Sequence, residues 1–344
     1  EDGTGGGGGG EQDDGLSSAS TLKTFTVLGI ATVTTKDEFV RHTWDVDLRA
    51  PAWKSMKDHR YKSEALCPGS VYVALASEAC RAMSAVLPAW ELRNLAFKQP
   101  LPLTPHRLMR VEAVVTATGA FIRIVSSDPM KKVGSDDERG WQEHCTCAAQ
   151  RLDCGAASAT DAMMKWVGEE YAVSSLYAEL ADGGFDYGVQ FRVLRKVVRE
   201  EGAATPRAVG EVARQQGSPF LLDPIDMDGC FQMAPLVSAL GFQGAPTSIK
   251  KVQCFAACGD VVTSLTVRAE LNPSDGSIDF RVYESARGVA LFFIEGLTLQ
   301  AFDSVPPQVL RVEWKEYNED GSGDDAAVAA PRIIAIEARA RADA

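Results

Sequence analysis

The sequence predicts an α+β fold in which antiparallel strands cover two helices, arranged as two tandem halves that lie side by side. Strand-like alternation of apolar and polar residues fills most of the 344 residues, while only three segments carry helical spacing. The order of a helix followed by strands, seen before about residue 155, returns after about residue 165. A helix buries its apolar stripe only when another layer covers it, so each half predicts a sheet folded over its own helix.

Residues 1–20, with a run of six glycines at 5–10 followed by Glu11, Asp13 and Asp14, cannot offset the entropy of ordering and read as a linker. The first half covers 21–155. Its helix is expected at 70–87, where Val71, Tyr72, Leu75, Ala79, Met83 and Val86 share a face, and its strands at 108–118, 120–126 and 141–152. Small and polar residues at 156–161 mark the seam, within a linker of 156–166. The second half, 167–315, carries helical spacing at 173–181 and 228–240 and strands at 193–200, 207–214, 261–271, 277–284 and 289–301. A polar stretch at 318–325 opens a tail, 316–344, that reads as a second linker, so the chain is expected to be one domain of a longer polypeptide.

The net charge of −12 and a pI near 4.9 exclude a general phosphate-binding surface, and hence nucleic acid as a partner. No apolar run approaches a membrane span, and nothing at the start resembles a signal peptide. Eight cysteines without any Cys-x-x-Cys pair sit mostly in apolar stretches, as reduced thiols of a cytoplasmic protein do. His144, Cys145 and Cys147 lack a second ligand pair at metal spacing, so they are expected to alternate along a strand.

Chemistry concentrates in two segments. His59 is one of four histidines and lies ahead of the first long helix; Asp228 opens the apolar run 228–240. A base and an acid delivered by two similar helices point to acid/base chemistry. Taken alone, Asp228 is most simply a helix N-cap, and His42, His106 and His144 read as structural. Asp223 and Asp226 compete with Asp228, but only Asp228 has an amide, Gln232, one helical turn further on.

The string His59-x-x-x-Ser63-x-x-x-x-Pro68 resembles the His-x-x-x-Gly-x-x-x-x-Pro motif of polyketide synthase and fatty acid synthase dehydratase domains. Asp228-x-x-x-Gln232, with Pro224 ahead of it, is similar to the second motif of that family, and Tyr187-Gly188-Val189-Gln190-Phe191 to its Tyr-Gly-Pro-x-Phe segment. Smaller echoes at 141–145 and 295–314 look most like fungal highly reducing iterative synthases. The resemblance implies a double hot-dog fold and elimination of water from a β-hydroxyacyl thioester on an acyl carrier protein, giving a trans enoyl group. It also implies His59 as base and Asp228 as acid, with Gln232 and Tyr187 holding Asp228. Backbone N–H groups near Ser63 and Gly69, next to Pro68, would face the thioester carbonyl. No metal or bound cofactor is implied, because the pantetheine arm arrives with the substrate. Partners would be the carrier protein and the other domains of the synthase, with a homodimer left open.

Ser63 stands where the family has Gly, and Val189 where it usually has Pro. If the Gly serves a positive φ or a close approach to substrate, Ser63 strains or narrows the site. These departures keep open a catalytically silent scaffold, while the stretch Leu66 to Tyr72 is similar to the product-template cyclases of non-reducing synthases, a second alternative. Lys54, Lys57, Arg60 and Lys62, crowded around His59 in an acidic chain, read either as a solvated face or as a surface for an acidic carrier.

Overall fold

The computed structural model describes residues 27–36, 39–83, 90–128, 140–152, 167–200, 204–255 and 262–301. The expected linkers at 1–20 and 156–166 and the tail at 316–344 lie outside the described residues, as do Cys154 and Cys258. The chain divides into a compact unit ending at Pro307 and a second unit, Gln308–Ala344, of which no residue is described.

In chain order the first half contains β1 (Thr32–Lys36), β2 (Phe39–Val46), β3 (His59–Tyr61), β4 (Glu64–Ala65), α1 (Gly69–Met83), β5 (Trp90–Phe97), β6 (Leu108–Thr116), β7 (Gly119–Ser127) and β8 (Trp141–Arg151). The second contains β9 (Glu169–Glu170), α2 (Val173–Asp182), β10 (Phe185–Tyr187), β11 (Leu194–Glu200), β12 (Arg207–Ala213), α3 (Pro224–Phe231), β13 (Gly244–Cys254), β14 (Ser264–Leu271), β15 (Ile278–Glu284) and β16 (Ala290–Ala301). Thirteen strands form one antiparallel sheet in the order β1-β2-β6-β7-β8-β5-β13-β16-β15-β14-β12-β11-β9. The halves meet where β5 pairs with β13, bringing Leu92 opposite Val252 and Leu95 opposite Ile249. All four side chains are buried.

Helix α1 is buried on every side from Ser70 to Ala79, as a central helix enclosed by sheet must be, and it packs against α3. Its Glu78 is fully buried. The carboxylate accepts from Leu221 N–H at 2.5 Å and from Arg81, which pins the chain entering α3 to α1. Burial pushes the pKa of this carboxyl up, against the opposing pull of those two donors.

Every expected strand is present within a few residues of its expected bounds. The strands absent from the sequence reading are β1 to β5, β9, β10 and β13. Helix 228–240 needs correction: α3 runs Pro224–Phe231, and Ala234–Leu236 form a separate 3₁₀ turn. Pro235 explains the break, since its ring meets the carbonyl four residues back, on Phe231, and it has no N–H to donate. The N-cap is therefore Asp223, whose Oδ1 accepts from Ile225 N–H at 2.7 Å and Asp226 N–H at 3.2 Å. Asp228 is an interior helical residue. His59 lies ahead of α1, as expected, ten residues before it and in the short strand β3.

His144 and Cys145 are both buried although adjacent in β8. A bulge causes this: Ile124 pairs with Cys145 and Val125 with Glu143, so His144 is the extra residue and strict alternation fails there. The His144 ring nitrogens lie 2.9 Å from the Gln99 carbonyl and 2.7 Å from Ser126 Oγ, and burial lowers its pKa to about 4. Among the described residues no group of three or more His, Cys, Asp or Glu side chains could hold a metal, and no helix is long and apolar enough to cross a membrane.

Candidate active site

A second, small sheet builds the site. In it β3 pairs with β10 of the other half, with His59 opposite Tyr187, and with β4 through a two-residue turn. Along β3 the side chains of His59 and Tyr61 are buried and that of Arg60 is exposed, as the pleat requires. Gly188 fastens β10 to the segment before β3. Its N–H donates to the Asp58 carbonyl at 2.7 Å, and a Cβ on it would lie 2.4 Å from the Asp58 carboxyl carbon, so a side chain there would displace that carboxyl from its hydrogen bond with Gln190 N–H.

His59 is boxed by aromatic rings, with ring centroids at 5.4 Å to Tyr187, 5.5 Å to Phe191 and 6.5 Å to Phe185. Its Nδ1 lies 3.0 Å from the Leu66 carbonyl, which can only accept. Nδ1 therefore carries a proton, and in the neutral ring Nε2 presents a lone pair to the other side. There, 3.9 Å away, stands Asp228 Oδ1. Asp228 Oδ2 accepts from Gln232 Nε2 at 2.9 Å, the contact that a spacing of four along a helix predicts. Burial raises the Asp228 pKa, opposed by His59 and by the Gln232 donor.

These groups line a cavity of about 450 Å³ whose walls are otherwise largely apolar and aromatic, including Leu66, Tyr72, Phe97, Leu180, Phe231 and Phe242. Gly69, the first residue of α1, is part of the wall, so the N-terminal end of a buried helix opens on the cavity. The structure thus brings together His59, Asp228, Gln232, Tyr187 and Gly69. Pro68 is buried behind the wall, between Cys67 and Gly69. Ser63 is exposed and does not line the cavity; it lies in the turn between β3 and β4. Val189 is 78% exposed and likewise does not line the cavity.

Sequence reasoning missed Tyr177 of α2, whose hydroxyl donates to Gln232 Oε1 at 2.9 Å. Tyr187, expected as a donor near Asp228, faces that carboxyl and sets its ring against His59, its pKa pushed well up by burial. Helical spacing marks Tyr177 as a buried position, but no spacing reports which residue its hydroxyl reaches. Cys67 also lines the cavity as a neutral thiol, its pKa raised by burial.

An antiparallel sheet curled around helices in two fused halves, with a buried His–Asp pair between them, defines a double hot-dog domain of the dehydratase type. Comparison with known proteins agrees. A family model described as polyketide synthase dehydratase domain matches residues 26–127, and one described as polyketide synthase dehydratase N-terminal domain matches 156–308. The chain belongs to the polyketide synthase dehydratase domain family. Among solved structures, the dehydratase domain from the CurK module of curacin polyketide synthase superposes with a TM-score of 0.66 at 15% identity, over 80% of this chain and 98% of that one. The dehydratase domain of a mycocerosic acid synthase-like polyketide synthase gives 0.64 at 24% identity, over 82% and 98%. Highly reducing polyketide synthase sphB of Aspergillus fumigatus is 24% identical over 241 residues, 64% of this chain. Polyketide synthase GfsA of Streptomyces halstedii is 26% identical over 321 residues, 87% of this chain. The chain spans 9% and 4% of the length of these two curated relatives.

Proposed function

We propose that the chain dehydrates β-hydroxyacyl thioesters delivered by an acyl carrier protein, leaving a trans α,β-enoyl thioester. The observation that carries this reading is the facing of His59 Nε2 and Asp228 Oδ1 across 3.9 Å in a buried apolar cavity. The unprotonated Nε2 takes the α-proton, and the electron pair of that C–H bond becomes the new Cα–Cβ double bond. As the Cβ–O bond breaks, the proton on Asp228 Oδ1 joins the departing hydroxyl to give water. Burial keeps Asp228 protonated to higher pH than an ordinary carboxyl, which suits a general acid. Afterwards His59 holds the extra proton and Asp228 is ionised; the short separation lets the proton return directly. Negative charge developing on the thioester carbonyl is met by Gly69 N–H, at the positive end of α1. These groups complete the elimination without metal or bound cofactor, the pantetheine arm belonging to the substrate.

Ser63 and Val189, the departures that favoured a silent scaffold, are not among the residues lining the cavity, whereas Leu66, Cys67, Gly69 and Tyr72 of the stretch that favoured a cyclase are. Incubation of the protein with both enantiomers of a β-hydroxyacyl thioester, free and carrier-bound, tests the reading by mass spectrometry. One enantiomer is expected to lose water, and His59→Ala or Asp228→Asn to slow this by about 10²–10⁴-fold. Failure of every substrate to dehydrate overturns it.

The carrier is proposed to approach beside β3. Lys54, Lys57, Arg60 and Lys62 are all exposed there, and Lys62 Nζ sits 5.2 Å over the ring of Tyr61, a residue of the cavity wall. Lys57→Glu with Lys62→Glu is expected to lower kcat/KM for carrier-bound substrate while leaving the free thioester unaffected. Equal effects on both would show that the cations do not meet the carrier.

A further inference from the structure

Tyr177 belongs to none of the family motifs found in the sequence, yet its hydroxyl ends a chain of hydrogen bonds that reaches Asp228. The direction of each bond is forced by chemistry. Gln232 Oε1 can only accept, so the Tyr177 O–H donates to it at 2.9 Å, while the Tyr177 oxygen accepts from Leu194 N–H at 3.2 Å. With Oε1 turned to Tyr177, the amide nitrogen faces the other way. Its two protons go to the Phe191 carbonyl and to Asp228 Oδ2, both at 2.9 Å. Oδ2 is thereby held as an acceptor, and the carboxyl proton is left to Oδ1, which faces His59.

The geometry points to Tyr177 as a positioning residue that locks the Gln232 amide and so keeps the transferable proton of Asp228 on the oxygen facing the cavity. This inference rests on the dehydratase reading above. The titratable groups that face Asp228 are His59 on β3, Tyr187 on β10 and Tyr177 on α2, with the Gln232 amide just beyond α3. Without the Tyr177 hydroxyl the amide can rotate and turn Oε1 toward the carboxyl. An acceptor there draws the proton to Oδ2, which stabilises the protonated acid and removes its proton from the substrate's side.

The test compares Tyr177→Phe, Gln232→Ala and the double variant on carrier-bound substrate across pH. Tyr177→Phe is expected to lower kcat about tenfold, as the loss of one net hydrogen bond in the transition state does, with KM held within about twofold. The high-pH limb of the profile moves upward, and the double variant is no slower than Gln232→Ala. Additive losses, or an unmoved limb, overturn the inference. A ¹³C NMR titration of the Asp228 carboxyl reads the same coupling without turnover: its pKa rises in Tyr177→Phe, and an unchanged value overturns the inference. If the wild-type protein dehydrates nothing, the dehydratase reading fails, while the titration still decides the role of Tyr177.

Discussion

Ser63 shows how a motif departure can bear on stability rather than chemistry. Lys62 and Ser63 have φ of +48° and +71°, the pair of left-handed conformations that a two-residue type I′ turn between β3 and β4 demands. Glycine adopts that conformation freely, whereas a side chain costs about 1–2 kcal/mol. The strain expected from the sequence is therefore present, and the narrowing of the site is not, because the side chain points to solvent. Ser63→Gly is expected to stabilise the protein by about 1 kcal/mol, the relief of strain less the greater freedom of glycine in the unfolded chain. A higher urea midpoint at unchanged slope would report this, with kcat unaltered. His59 and Asp228 were legible from the sequence because motif spacing fixes their types. The carboxyl oxygen facing the base was not legible, since it follows from where Tyr177 and Phe191 arrive in space.

Length alone did not make an element legible: eight-residue β2 and β5 and eleven-residue β13 were missed, while seven-residue β11, β12 and β15 were read. The nine- to eleven-residue strands β6, β7 and β8 give several periods of alternation, enough to be read directly. The strands that carry the site, β3 and β10, have three residues each and offer no periodicity. They exist because the closing of one half on the other gives their backbone groups partners. Helix α3 shows a different failure: its apolar residues continue past Phe231, and only the backbone chemistry of Pro235 stops it. The same helix makes Asp223 more consequential than its role in sequence suggested. By capping α3 it fixes the axis on which Asp228 and Gln232 are mounted. Nearby, Asp226 pairs with half-buried Arg214 at 3.3 Å and accepts from Gln215 N–H at 3.1 Å, tying the same turn to the residues just past β12. Asp223→Ala is expected to cost about 1–2 kcal/mol, the loss of a cap, and to lower kcat through displacement of Asp228. Asp223→Ser supplies a hydroxyl acceptor and should restore most of both. Denaturant unfolding alongside kinetics separates this from a direct chemical role, for which serine would not substitute.

The site belongs to neither half alone: β3 brings the base from the first, α3 the acid from the second, and the short sheet β10-β3-β4 stitches them together. What holds that arrangement is the pairing of β5 with β13, which turns two half-sheets into one. Leu92 and Leu95 on one side and Val252 and Ile249 on the other sit at its centre, all at 1% exposure or less. Cutting there would expose two long edges and the apolar faces beneath them, so each half stabilises the other. Leu92→Ala therefore tests more than a local cavity. Truncation of a buried leucine costs about 2–5 kcal/mol, and with the junction shared, the loss should fall on both halves together. Hydrogen exchange followed by mass spectrometry is expected to show faster exchange in β7 and in β14, which lie on opposite sides of the junction, by similar factors under conditions where global opening governs exchange. Acceleration confined to β5 and its first-half neighbours would mean that the halves open independently. In that case the His59–Asp228 separation would be set by the small sheet alone, and dehydration would survive the substitution better than the stability of the first half.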